Sequence, residues 1–390
     1  MFESTLVIIV IALTVSLIMS EIFYRLKFPR VIGQLMAGLI FALPFFKRFI
    51  TSDAASDISF LSNLGIIFLL LLAGMEINLK QFKKAEKNSF VIAISCALLP
   101  FLLGVILMKA LDYSNIVAFV AGACFALTAE ATKLKVLIDM HVLRSRVGTI
   151  MLEAGIIDDM FEVLYLGIIL ILAHGSIVEL GLFPFKLILF IIIAFVSYVY
   201  LPKLVRLIHK EHNQEATFSM VLVVGLIIAV ISESLGLGPV IGAFLAGVLI
   251  QLSDHFKKEE HDIIEELKIF TFAFIIPFFF LNIGLHFDYA SIFQNIGLVI
   301  LVILVATVGK LLGAVIVTPL TDLTLKQTHL IGWAMNSRGA VELIIAEIAR
   351  KNELIPIEVY SAIVAMAVVT TIIFPIVLRN TISKEKNIMK

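Results

Sequence analysis

What this sequence has least of is charge. Asp, Glu, Lys and Arg make up 15% of its 390 residues, against about 25% in ordinary soluble domains. Cysteine is scarcer still. Cys96 and Cys124 both lie inside apolar runs, so neither a disulfide framework nor a thiolate metal site is expected. No Gly-x-Gly-rich soluble domain, long polar linker or low-complexity tract interrupts the chain. No His/Glu metal constellation or activated nucleophile can be picked out, which argues against an enzyme. No cofactor and no nucleic-acid partner is expected. The opening "MFESTLVIIVIALTV" lacks a basic n-region and a small-residue cleavage site. It reads as a first membrane helix, not as a removable signal peptide.

What is present is apolar: 61% of the residues are hydrophobic and the mean hydropathy is +1.08. This is the composition of an all-α integral membrane protein. A span takes about 20 mostly apolar residues, and thirteen segments qualify. They lie near 4–24, 30–45, 59–77, 89–110, 116–138, 146–173, 184–207, 216–235, 238–253, 263–285, 291–319, 326–349 and 356–379. Basic residues cluster after the odd-numbered segments. Arg25, Lys27 and Arg30 follow the first, Lys80, Lys83, Lys84 and Lys87 the third, and Lys133, Lys135, Arg144 and Arg146 the fifth. Lys203, Arg206 and Lys210 close the seventh, Lys257, Lys258 and Lys268 follow the ninth, and Arg379 and Lys384 lie in the tail. By the positive-inside rule the N-terminus is outside and the C-terminus cytoplasmic.

The chain also repeats itself. "SEIFYRLKFPRVIGQLMAGLIF" from Ser20 resembles "SESLGLGPVIGAFLAGVLI" from Ser232; Val31, Ile32, Gly33, Ala37 and Gly38 match Val240, Ile241, Gly242, Ala246 and Gly247. Nearly the same offset pairs Gly74 with Gly284. The matched helices are seven spans apart, an odd number, so the halves face opposite ways across the membrane. The expectation is a first inverted repeat over 1–183, a linking helix over 184–215 and a second repeat over 216–390, an architecture of secondary transporters.

Segments five and twelve then correspond, and both carry polar interruptions at matching depth. One is Thr128-Ala129-Glu130-Ala131-Thr132, the other Asn336-Ser337-Arg338-Gly339. Such paired interruptions predict broken helices around a binding site. Arg338 and Glu342 are four apart, which predicts a structural ion pair on one helical face, with direct ion binding by Glu342 as the alternative. Glu130, set inside the first break beside Thr128, reads either as part of an ion pathway or as the partner of a basic group.

The sixth segment poses the sharpest question. Its "EAGIIDDMFEVLYLG" carries Asp158 and Asp159, each costing about 2.5–3.5 kcal/mol to bury in a membrane even on lenient scales. Asp158 is twelve residues from Arg146, about 18 Å at ~1.5 Å per residue, so it is level with both breaks. Lys310, in the apolar "VATVGKLLGAVIV", is the natural partner of Asp158, leaving Asp159 to the cargo. A buried carboxylate can hold a proton or, ionised, a hard monovalent cation, and not both at once. Competition for it, combined with alternating access, gives cation/proton exchange. The candidate cation ligands are Asp159, Asp158 and Thr128, with Lys310, Glu130 and Ser337 completing the ion- and proton-binding set.

This arrangement resembles the cation:proton antiporter-2 family, and within it sodium/proton antiporters of the NapA and NhaA kind. The resemblance rests on the repeat, the paired interruptions, the Asp158-Asp159 dyad, Lys310, and "LAGMEINL" around Glu76. It implies an NhaA-like fold with crossed broken helices and exchange of sodium or lithium for protons in pH homeostasis. Asp159 would be the essential carrier and Asp158 the partner of Lys310. It further implies a homodimer in the lipid of the cell membrane, with segments two, seven and nine in the dimer domain. Glu130 departs from the pattern, since such relatives have a small or hydroxylated residue there. The rivals are a potassium/proton exchanger of the Kef kind, which carries a C-terminal nucleotide-binding domain, and a cation channel.

Overall fold

The computed structural model describes residues 5–47, 50–76, 85–174, 185, 188–190, 192–193, 195–196, 214–252 and 260–389. Among these, every regular element is helical and no strand occurs. The first half supplies α1 (Thr5–Arg25), α2 (Arg30–Ala42), α3 (Pro44–Lys47), α4 (Ser52–Glu76), α5 (Lys87–Ala110), α6 (Asn115–Ala126), α7 (Glu130–Asp139) and α8 (Arg146–His174). The second supplies α9 (Gln214–Ser234), α10 (Pro239–Leu252), α11 (Glu260–Phe270), α12 (Ile276–His286), α13 (Tyr289–Gln294) and α14 (Ile296–Ile316). It closes with α15 (Leu325–Ala334), α16 (Ala340–Lys351) and α17 (Ile357–Lys384). The expected seventh span and linking helix, over 184–215, fall for the greater part outside the described residues, and Lys80, Lys83, Lys84, Lys257 and Lys258 lie outside them.

Among the described residues, six stretches are long and apolar enough to cross a membrane: Leu6–Arg25, Asp53–Glu76, Lys87–Ala110, Ile264–His286, Ile296–Leu320 and Ile357–Lys384. Their outward faces are greasy. On α14, Ile296, Ile300, Leu304, Val308, Leu312 and Ile316 form an exposed stripe at helical spacing, while Lys310 on the same helix is buried. In water this arrangement would be inside out; in lipid it is the stable one. The protein is a multi-pass membrane protein.

The chain divides into two compact units interleaved along the sequence. The first comprises Met1–Ser16, Pro44–Ile77 and Leu170–Asn282, the second Leu17–Leu43, Asn78–Ile169 and Ile283–Lys390. In the first, Phe68, Leu71, Leu72 and Met75 of α4 pack with Val221, Val224 and Ile228 of α9 and Ala243, Ala246 and Ile250 of α10. The contact of α4 with α10 is so close that a Cβ on Gly74 would collide with the carbonyl oxygen of Phe244. Small residues allow this approach. Also in this unit, a π turn over Thr271–Ile275 joins α11 to α12. The sequence predicts a kink at Pro277, and the structure inserts this turn just ahead of it. The Ile276 N–H reaches back five residues to the Thr271 carbonyl, which makes room for a proline ring that clashes with a carbonyl in a continuous α-helix.

The second unit has its own core, in which Ile92 and Cys96 of α5, Ile150, Met151 and Ala154 of α8, Ile331 of α15 and Phe374 and Leu378 of α17 come together. Here the closest helix contact is α2 with α12: a Cβ on Gly284 would meet the backbone of Gly38. Gly297, by contrast, has open space around it. Gly284→Ala is therefore expected to destabilise the protein by about 2 kcal/mol or more through overpacking, whereas Gly297→Ala is expected to be neutral or stabilising by about 0.5 kcal/mol. Thermal melting in detergent checks both, and a Gly284→Ala variant that melts with wild type would contradict this helix contact.

Candidate functional site

Two helical rods of the second unit are interrupted and cross where they are interrupted. The first stops at Ala126, passes through extended residues at Leu127 and Ala129, and resumes at Glu130. The second stops at Ala334 and resumes at Ala340, with Gly339 extended. The two gaps bind each other. The Ala129 N–H donates to the Ser337 carbonyl at 2.9 Å, Ser337 Oγ donates to the Ala129 carbonyl at 2.9 Å, and Thr128 Oγ1 donates to the Met335 carbonyl at 3.0 Å. A side chain at Gly339 would place its Cβ 2.6 Å from that of Ala129, so the crossing requires glycine there.

The end of α6 leaves carbonyls without helical partners, and two cations take them. Lys310 Nζ, carried on α14, donates to the Ala126 carbonyl and, at 2.7 Å, to Thr128 Oγ1. Arg338 Nη1 donates to the carbonyls of Cys124 at 3.0 Å and Leu127 at 2.6 Å. Both lie at the negative end of a helix dipole, where positive charge is favoured. Acids sit in the first turns of the resuming helices, Glu130 on α7 and Glu342 on α16, again the favourable sign.

Asp158 of α8 stands 3.7 Å from Lys310 Nζ, and both side chains are completely buried. Asp159, the next residue, is half-buried. Thr128 is buried and holds Lys310, and Ser337 ties the two breaks together. Glu130 is the first residue of α7 and so lies just past the break that the sequence put around it. Its Oε2 is 2.6 Å from Lys133 Nζ, which identifies the basic partner. Arg338 and Glu342 make no close ion-pair contact among the described residues, yet each is the other's largest charge partner. Four-residue spacing places two groups on one face only within a continuous helix, and Arg338 precedes the start of α16. Its guanidinium turns to the α6 carbonyls, while Glu342 takes the Gly339 N–H.

Two charged residues of the site escape a sequence reading. Lys133, counted there among loop charges, is fully buried and donates to the Met151 carbonyl at 2.6 Å. The Glu130-x-x-Lys133 spacing was its signal. Glu162, half-buried on α8, interacts electrostatically with Asp159, Asp158, Glu342 and Lys310. Its signal was helical spacing of three and four residues from the dyad.

A membrane-embedded helical protein whose buried charges meet at two crossed helix breaks is an ion-translocating secondary transporter in outline. Residues 9–384 match the profile of the sodium/hydrogen exchanger, transmembrane, family. The chain belongs to that family. It is 28% identical to a Na(+)/H(+) antiporter of Enterococcus hirae over 97% of both chains. To a Na(+)/H(+)-K(+) antiporter of Bacillus cereus it is 27% identical, over 94% of this chain and 93% of the relative. Its fold is similar to that of the sodium proton antiporter MjNhaP1 from Methanocaldococcus jannaschii, with a TM-score of 0.70 at 17% identity over 99% of this chain and 97% of the other.

The buried Glu130–Lys133 contact generates a stability prediction. Lys133→Met strands the Glu130 carboxylate and is expected to cost about 3 kcal/mol, while the double change Lys133→Met with Glu130→Met should recover most of it. Detergent melting of both single variants and the double variant checks this. Strict additivity would remove the pair from the description.

Proposed function

We propose that this chain exchanges sodium or lithium for protons across the cell membrane by alternating access, and that the cycle moves net charge. The observation that carries the reading is the Asp158–Lys310 pair, completely buried at 3.7 Å beside two crossed helix breaks. That separation exceeds a hydrogen bond, and the Asp158 oxygens accept none among the described residues. The ammonium of Lys310 is instead held by the Ala126 carbonyl and Thr128. Asp158 is thus balanced in charge without being locked in place.

A cation taken up between Asp158 and Asp159 would claim the charge that Asp158 lends to Lys310. Two positive charges close together in a low dielectric repel strongly, and the lysine gives up its proton to the departing side. With the proton displaced from Asp159, two protons leave for one monovalent cation. Five acids (Glu130, Asp158, Asp159, Glu162, Glu342) and three bases (Lys133, Lys310, Arg338) surround the crossing. The acid surplus supports sites that hold protons in one phase and a cation in the other. The chain needs no bound cofactor for this.

The same reading includes thirteen spans with the N-terminus outside and the C-terminus cytoplasmic, two inverted repeats joined by a seventh helix, and a homodimer in the lipid bilayer. Close glycine contacts support the repeat. Gly74 packs on α10, near Gly247, and Gly284 packs on Gly38; these are the two glycine pairs that the repeat equates, with partners exchanged.

Two variants test the mechanism. Asp159→Asn is expected to abolish cation-dependent proton movement in proteoliposomes supplied with sodium, lithium and potassium in turn, while leaving the protein folded. Wild-type rates in that variant would sink the carrier role. Lys310→Gln is expected to retain some exchange but to lose its response to an imposed membrane potential. A wild type indifferent to potential would refute the two-proton cycle.

A further inference from the structure

Half of the buried side-chain polar atoms that lack a hydrogen-bond partner among the described residues belong to four side chains: Asp158, Asn336, Arg338 and Glu342. The large majority of buried side-chain polar atoms in folded proteins have a partner. Such a concentration at one crossing marks a place where something other than protein supplies the partners. Three of the four are charged and have compensation nearby: Lys310 for Asp158, the α6 carbonyls for Arg338, and the Gly339 N–H for Glu342.

Asn336 has no such compensation. It is completely buried, and neither its oxygen nor its nitrogen finds a partner among the described residues. The turn does not need the side chain, because the Asn336 backbone N–H is already bonded to the Trp333 carbonyl at 3.2 Å. On one side of it Met335 accepts from Thr128, the hydroxyl that also accepts from Lys310; on the other, Ser337 is tied to Ala129. The amide is therefore fixed by its backbone one residue from the contacts that position the partner of Asp158. Leaving it bare costs stability that an apolar side chain of the same size would not cost.

We propose that the Asn336 carboxamide oxygen is a ligand of the transported alkali cation, completing with Asp158 and Asp159 the oxygen shell that replaces its hydration. Hard cations are bound by carboxylate and carbonyl oxygens, and carbonyl oxygens can substitute for the hydration shell of an alkali ion. A carboxamide does not titrate. It raises cation affinity without competing for the protons, so its removal acts on one side of the exchange. This assignment rests on the exchange reading above and deepens it.

The experiment is sodium-dependent proton movement in proteoliposomes for wild type, Asn336→Ala, Asn336→Leu and Asn336→Gln, with detergent melting of each in sodium-free buffer. Asn336→Ala and Asn336→Leu are expected to raise the half-saturating sodium concentration about tenfold. Maximal rate and pH profile at saturating sodium should stay near wild type, and Asn336→Leu should melt at or above the wild-type temperature. Asn336→Gln, which keeps the amide on a longer stem, should recover part of the affinity. Unchanged half-saturation in the Ala and Leu variants overturns the inference and leaves the exchange reading standing. So does lowered melting in all three variants with no preference for Gln, which means a packing role. A wild type that moves no alkali cation removes the exchange reading and this ligand with it.

Discussion

A helix that stops inside a membrane exposes carbonyls that no water can reach, and each uncompensated one costs several kcal/mol, to a rough measure. Here α6 stops at Ala126, and its loose carbonyls are taken by two permanently placed cations from other parts of the fold, Lys310 and Arg338. One guanidinium nitrogen, Nη1, reaches the Cys124 and Leu127 carbonyls together. Most of the charge around the site follows from this. Once two cations are fixed in the interior for the sake of the backbone, acids such as Asp158 and Glu342 become tolerable beside them. The aspartates of α8 are thus companions of a helix break, and the break itself is held by bonds between Thr128, Ala129, Met335 and Ser337.

This division of labour separates what must stay from what can change. The ties between the breaks use backbone groups and hydroxyls, none of which titrates in the working range. Lys310 spends its donors on the Ala126 carbonyl and Thr128, so its position does not depend on Asp158. The carboxylate at 3.7 Å interacts with it through charge and without a hydrogen bond. An interaction of that kind can be handed to another cation without dismantling the scaffold. Lys133, in contrast, is in close contact with Glu130 and donates to the Met151 carbonyl, and lacks that freedom.

Much of this was legible because lipid makes polar residues conspicuous. Lys310 stands out in an apolar run, Asp158 lies at the depth where its partner must be, and the paired interruptions near Thr128 and Ser337 occur at matching positions. The failures have equally specific causes. Glu130 was set inside the break because a sequence does not show at which residue a helix restarts. Arg338 and Glu342 interact through charge but without close contact, because the four-residue rule presumes a continuous helix and α16 starts only at Ala340. Lys133 passed as a loop charge because Lys135, Arg144 and Arg146 follow it so closely, and Glu162 stayed in the shadow of its more obvious neighbours. The π turn ahead of Pro277 depends on hydrogen-bond geometry that a proline in a sequence does not specify.

The element that gathers these strands is α8, which carries Glu153, Asp158, Asp159 and Glu162 along 29 residues. Each position answers to a different neighbour. Glu153 accepts the Glu86 N–H at 2.9 Å and the Ser89 hydroxyl at 2.6 Å, placing negative charge at the positive end of α5. Gly155 leaves the space that the Glu130 carboxylate and Lys133 occupy. Asp158 meets Lys310 of α14. Because successive residues on a helix point about 100° apart, one rod can serve several partners at nearly one depth. A single helix with four acids thus enters several charge balances at once.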